Sequence, residues 1–395
     1  GEVRVIACTT TLAFGVNLPA STVFIEAVKW DMDKRTGTAI EIPLSWAEYE
    51  NISGRAGRLG LDVEFGRSVL IATNQFQADL LWRGYVMGEQ EQFTPAPGQT
   101  GLADRVLNLI ASKVCISKDE LHAFLNRTYL GFQQHGKDAN LSAEADSTLD
   151  VLTQAQLVNV GEDGRLEAST LGEVAARKGI RAATALKLAR FFETAQGRAV
   201  PELELFYELS LTEDGQRMHV PLSAAEHRGR GYESKVSEWM HERGHEPGHE
   251  LQKLLNARML PTTQEARAAK LSLLLMGWIN GDELSSLENR CQCYAGTILT
   301  LADEISWLVN AAAEIAEVMG WAPAKQLTEL AERARCGVDT QGLGLARANL
   351  IGLNREEVKT LVAAGLDSPD AVREAAPEVL AEYLSPSQIA ALQTA

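Results

Sequence analysis

Residues 9–20 read TTTLAFGVNLPA and residues 51–58 read NISGRAGR, and the reading of these two stretches decides the fold. The first joins hydroxyl side chains to a Gly-Val-Asn-Leu-Pro turn directly after the apolar run of residues 3–8, which has the pattern of a buried strand. The second places Arg55 and Arg58 three residues apart with a glycine before each. That spacing is nearly one helical turn and would let both guanidiniums face one site. Arginine suits a triphosphate because its planar fork donates two parallel hydrogen bonds and stays charged. The glycines allow close approach of another backbone. Residues 23–28 read as a second strand, residues 43–51 lead into a helix and residues 67–72 form a third strand. Strand, polar turn, strand, helix, strand is α/β order, and α/β folds bind ligands at strand ends.

Working outward, the chain has 395 residues, 37 basic against 53 acidic, and a formal net charge of −16. With 45% hydrophobic and 23% charged residues it has the composition of folded domains and not of a disordered chain. Its length predicts several domains. The acidity argues, taken alone, against nucleic acid as the default partner. Five scattered cysteines contain no pair of CxxC units, so a zinc ribbon is excluded, and reduced, cytosolic thiols are expected. No apolar run is long enough to span a membrane, and no signal peptide is read at the start. The first residues read as the inside of a sheet, so the chain is expected to be part of a longer protein.

Together the two stretches resemble motifs V and VI of superfamily 2 helicases, and the GVNLPA wording resembles the Ski-like group; the order of the later helices resembles its HelQ-type branch. The resemblance implies a RecA-like α/β half-domain at residues 1–92. It implies that Arg55 and Arg58 reach the γ-phosphate, with Arg58 as the arginine finger. Gly15, Asn17 and Asn51 would line the nucleotide cleft, and Thr9 and Thr11 would touch the nucleic-acid backbone. Motif VI usually opens with Gln, and Asn51 is one methylene shorter. No GxxxxGK[ST] sequence occurs, and no Asp-Glu pair follows an apolar strand to hold Mg²⁺. ATP and Mg²⁺ are therefore implied only together with a first RecA-like domain, and no ATPase activity is expected from this chain alone.

Between the motifs, residues 29–43 carry Gly37 and polar turn residues between β-prone arms, a hairpin. In DNA-unwinding relatives a hairpin here separates strands, which makes Trp30, Lys34 and Arg35 candidate nucleic-acid contacts; an ordinary connecting hairpin is the alternative. Residues 93–101 are rich in Pro and Gly and read as a linker. Helices are then expected at 102–116, from Ser117 and at 143–156, followed by a hairpin at 157–168. That is winged-helix order, with an acidic tip at Glu162 and Asp163. Residues 180–330 read as almost wholly helical. His241, His245 and His249 imitate a zinc-protease motif, but Gly244, Pro247 and Gly248 break the helix that such chemistry needs.

A long helix at 295–319 follows a buried one at 267–281, an order that resembles the family's ratchet domain. The resemblance puts Trp307 in the position of a tryptophan that stacks on a base; packing against Trp278 or Trp321 is the alternative. Thr300 stands where the family carries an arginine. The tail resembles a helix-hairpin-helix module, with Glu356 and Glu357 in the first turn where a phosphate would bind.

The fold class expected is thus multidomain: a partial α/β RecA-like domain (1–92), then a mostly α winged helix (98–178), a ratchet helical bundle (179–328) and a helix-hairpin-helix domain (329–395). The function implied by the resemblance is that of the C-terminal part of an ATP-dependent 3′–5′ helicase acting on single-stranded and forked DNA. A Ski-like RNA helicase, with RNA as partner, and a scaffold that binds nucleic acid or protein through its C-terminal domain are the alternatives.

Overall fold

The computed structural model describes residues 4–9, 20–32, 39–57, 65–89, 101–134, 141–348 and 352–394. It divides into two compact units, Gly1–Pro95 and Ala96–Ala395.

In the first unit, β1 (Thr22–Ile25) pairs in parallel with β4 (Arg67–Leu70), Thr22 opposite Arg67 and Ile25 opposite Leu70. β2 (Val28–Met32) and β3 (Ala39–Pro43) form the antiparallel hairpin, with Trp30 opposite Glu41. The strand expected at 23–28 is therefore two elements, because the chain turns at Glu26 and Ala27 from one sheet into the other. The strand expected at 3–8 does not form within its described part. Residues 4–9 have no regular structure and Val5 is 85% exposed, since a parallel strand needs a neighbour to satisfy its backbone.

Helix α1 (Trp46–Ser53) starts at a reciprocal cap in which the Ser45 hydroxyl accepts from the Glu48 amide while the Glu48 carboxylate accepts from the Ser45 amide. The same carboxylate receives Lys29 of β2 at 2.5 Å, which ties the hairpin to the helix start. Ile25, Leu44 and Tyr49 form the core, closed by Tyr85, whose hydroxyl donates to the Leu44 carbonyl. Helix α2 (Gln75–Leu81) follows.

Among its described residues the second unit is helical apart from one hairpin. Helices α3 (Leu102–Ala111), α4 (Lys118–Asn126), α5 (Tyr129–Gln134) and α6 (Leu141–Gln154) lead into β5 (Val158–Val160) and β6 (Leu166–Ala168), then α7 (Thr170–Lys178). Helix α3 stops short of residue 116, where Lys113 adopts a left-handed φ of 57°. α5 is an element the sequence reading did not contain.

There follow α8 (Ala182–Thr194), α9 (Glu202–Ser210), α10 (Ala224–Gly229), α11 (Gly231–Glu242), α12 (His249–Leu255), α13 (Thr263–Ile279), α14 (Leu284–Cys291), α15 (Ala295–Val318) and α16 (Ala324–Cys336). One continuous apolar core runs from Val106 to Ala334. The tail, α17 (Leu343–Ala348), α18 (Arg355–Ala363), α19 (Pro369–Glu374), α20 (Pro377–Leu380) and α21 (Pro386–Thr394), has its own core from Val338 to Leu384.

Arg355 joins the tail to the larger core. Its guanidinium lies 4.4 Å from the Trp278 ring centre and donates to the carbonyls of Gly337, Trp278 and Asp282.

α9 carries two buried acids, Glu204 and Glu208. Glu204 is paired with Arg198 at 2.5 Å. Burial pushes the Glu208 carboxyl up to about 7, opposed by the charge of Lys187. The unfolded chain loses this proton near the ordinary carboxylate pKa, whereas the folded chain holds it to about 7. Stability contributed here therefore falls as pH rises between the two values and stays low above them. Glu208→Gln is expected to gain about 1–3 kcal/mol at pH 8 and almost nothing at pH 4, read from denaturant midpoints at both pH values.

Candidate nucleotide and nucleic-acid sites

The two stretches that set the fold are stitched together by backbone. The Ala20 amide donates to the Arg55 carbonyl at 3.1 Å, and the Gly57 amide donates to the Ala20 carbonyl at 2.9 Å. The residue that ends the first stretch is thus held against the middle of the second. Asn51 is exposed on α1. The helix ends at Ser53, and Gly54 caps it with donations to Glu50 and Ile52. Arg55 consequently sits in the turn after the helix and not on it. Arg55 is largely buried, with 9% of its surface exposed.

Gly57 has φ +63°, and a Cβ there would lie 2.2 Å from the Gly66 nitrogen. The close approach expected of these glycines is real at this position. Gly57→Ala combines left-handed strain with a backbone clash. It is expected to cost about 2 kcal/mol or more and to speed hydrogen exchange at the Ala20 and Gly57 amides, measured by NMR. Thr9 is exposed. Thr11, Gly15, Asn17, Lys34, Arg35 and Arg58 lie outside the described residues. Trp30, on the hairpin, is 71% exposed.

In the second unit the site is built on α15. Its inward side is buried at Ile298, Leu301, Ile305, Leu308, Val309 and Ala312. Trp307 faces the other way and is 39% exposed. Trp278 and Trp321 are separate core residues. The first donates to the Ala334 carbonyl, and the second donates to Ala195 and packs on Phe192. The alternative of Trp307 packed against either is therefore replaced by an outward ring. Its Nε1 donates to the Lys178 carbonyl at 2.8 Å. Beside it runs a groove between α15 and α16, lined by Asp303, Ser306, Asn310, Glu332 and Arg335. Thr300, two turns earlier on the same face, is exposed and returns its hydroxyl to the Gly296 carbonyl.

The Lys178 contact was not legible in the sequence. Gly179 after two basic residues signals a helix end, and Gly179 does adopt φ 68° there, but nothing local names a partner far along the chain.

The acidic residues noted at the tail hairpin and at the wing tip make local backbone contacts. The first turn of α18 is capped by Asn354, whose amide donates to Glu357 at 2.8 Å. At the β5–β6 turn, Asp163 accepts from the Arg165 amide. The three histidines do not share a helix: α11 ends at Glu242, Gly244 has φ +64°, and His245 stacks on Trp239. Among the described residues no group of three or more His, Cys, Asp or Glu could hold a metal ion. Among them, too, no helix is long and apolar enough to cross a membrane.

Residues 204–337, which include Trp307, match the family model described as archaeal helicase, domain 4. The chain is 28% identical over 94% of its length to the ATP-dependent DNA helicase Hel308 of Methanocella arvoryzae, covering 48% of that protein. It is 29% identical over 91% of its length to the Hel308 of Pyrobaculum calidifontis, covering 47%. The Hel308 of Pyrococcus horikoshii is 25% identical over 97% of the chain. The chain spans about half the length of these curated relatives. Motifs and matches together relate it to the C-terminal portion of a Ski-like superfamily 2 helicase of the Hel308/HelQ type.

Proposed function

We propose, from this relationship, that the chain is the strand-gripping portion of an ATP-dependent DNA helicase that moves 3′ to 5′ along single-stranded DNA and opens forked duplexes. The observation that carries the reading is Trp307: a half-exposed indole on the solvent-facing strip of a long helix, with an open groove at its side. A tryptophan costs exposed apolar surface unless something covers it. A nucleobase suits this ring because stacking is sequence-tolerant and worth about 1–3 kcal/mol per base.

The domain reading accompanies the proposal. Residues 1–92 would be the later part of a RecA-like domain, 98–178 a winged helix, 179–328 the ratchet and 329–395 a helix-hairpin-helix module. Arg55 and Arg58 are assigned to the γ-phosphate of ATP, Asn51, Gly15 and Asn17 to the nucleotide cleft, and Thr9, Thr11, Trp30, Lys34 and Arg35 to the nucleic acid. The described residues fit half of a nucleotide site. They offer an arginine and an amide near one tethered turn, while the sequence contains no phosphate loop. Bound ATP–Mg²⁺ would supply the phosphoanhydride chemistry; this chain's part is to place positive charge against it.

Two measurements test the reading on the chain as it stands. Phosphate release with and without oligo-dT should show no turnover above background, and robust hydrolysis would contradict the half-site. Trp307→Ala should weaken binding to a dT oligonucleotide by about five- to a hundredfold while leaving the melting transition in place. Unchanged affinity would remove the stacking role.

A further inference from the structure

We infer that Glu314 is a positioning residue for Trp307, acting through the C-terminus of α7. The inference rests on the reading of Trp307 as a base-stacking platform and adds how its ring is held. Three successive turns of α15 engage one residue. Trp307 donates to the Lys178 carbonyl at 2.8 Å, Asn310 Oδ1 accepts from Lys178 Nζ at 2.6 Å, and Glu314 Oε1 accepts from the same Nζ at 2.6 Å. The other Glu314 oxygen takes Arg177 at 2.6 Å. Trp307, Asn310 and Glu314 are spaced i, i+3, i+7, so they share one face of the helix.

The receiving end is prepared for this. α7 closes with Gly179 in the left-handed conformation, and the amides of Gly179 and Ile180 fold back onto Ala176 and Ala175. That leaves the carbonyls of the last turn without intrahelical donors, and the indole N–H fills the one at Lys178. Arg177 and Lys178 also place positive charge at the negative end of the helix dipole. Glu314 holds both, and these contacts hold its carboxyl below the ordinary range, the Arg177 hydrogen bond first among them. Lys178 and Glu314 are mostly buried while Arg177 is exposed, so the Lys178 half of the latch is the part screened least by solvent.

Two consequences follow for the site. The indole edge that carries the N–H is occupied, so Trp307 meets a base with its ring face alone. A platform of that kind is sequence-tolerant and offers no hydrogen bond by which to read a base. The ring plane is also fixed before the strand arrives, which lowers the ordering cost of binding.

The test uses the 395-residue chain labelled with 5-fluorotryptophan. The Trp307 ¹⁹F resonance is assigned by its loss in Trp307→Phe, and affinity is read by anisotropy with fluorescein-labelled (dT)₁₂. Glu314→Ala should bind about three- to tenfold more weakly, shift or broaden the Trp307 resonance, and leave the other tryptophan resonances in place. Glu314→Gln keeps an acceptor and should recover most of the affinity. In a Trp307→Ala background, Glu314→Ala should add nothing. Lys178→Met carries the same comparison should Glu314→Ala fail to fold. The inference is overturned if Trp307→Ala weakens binding while Glu314→Ala leaves affinity and resonance unchanged, or if Glu314→Ala weakens both backgrounds equally. If Trp307→Ala itself binds as tightly as the parent chain, the stacking reading falls, and the inference with it.

Discussion

The second unit depends on one constraint: α15, 24 residues long, must be dry along most of its circumference and wet along a single strip. Burial of its Ile, Leu, Val and Ala positions draws α16 onto one flank and α7, α8, α9 and α14 onto the rest. Small residues at Ala311, Ala312, Ala313 and Ala316 let those neighbours approach closely, where dispersion and area burial both gain. What remains uncovered is a broad strip that includes Leu299, Thr300, Asp303, Glu304 and Trp307 and ends at Glu317 and Val318. The position of the exposed indole is therefore a by-product of core packing, while its orientation is set by the polar contacts at the end of α7. The same packing that stabilises the bundle holds the helix that carries the indole.

In the first unit the corresponding constraint is backbone, not side chain. Ala20 lies between the amide of Gly57 and the carbonyl of Arg55 because Gly57 can take a positive φ and let Gly66 pass within contact distance. Ala20, the last residue of one stretch, and Arg55 and Gly57 of the other are thus one local element. The Ser45–Glu48 cap and the Lys29 ion pair fix the hairpin to α1 in the same unit. Trp30 is thereby displayed on a hairpin with an anchored base.

Much of this was readable from residue order, for reasons that are local. The hairpin at 29–43 announced itself by a glycine between β-prone arms, α4 by Ser117 three residues before Glu120, and α15 by its apolar period. Trp307 was singled out by resemblance, and its exposed ring is a feature of the fold that periodicity alone left undecided. The misreadings were non-local. Residues 4–8 are apolar enough for a strand, but the described fold gives them no partner. Residues 23–28 read as one β-prone run, apolar except for Glu26, and tertiary pairing divides it at Glu26 and Ala27. Neither the Trp307–Lys178 bond nor the seating of Arg355 on Trp278 leaves a trace in spacing, because each joins segments far apart in the chain.

Against a net charge of −16, several of the basic groups are already matched within the chain. Arg177, Lys178, Arg198, Lys270 and Arg333 are each spent on a carboxylate of the same chain. These five cations are therefore not available to displace counterions from a phosphate backbone, which agrees with the proposal that stacking carries much of the grip. The most direct measurement is photo-crosslinking of the chain to a single-stranded oligonucleotide carrying 5-iododeoxyuridine, with the adduct located by mass spectrometry. The account predicts that the main adduct is on Trp307. Adducts confined to residues 352–394, or spread over lysines without Trp307 among them, would contradict it.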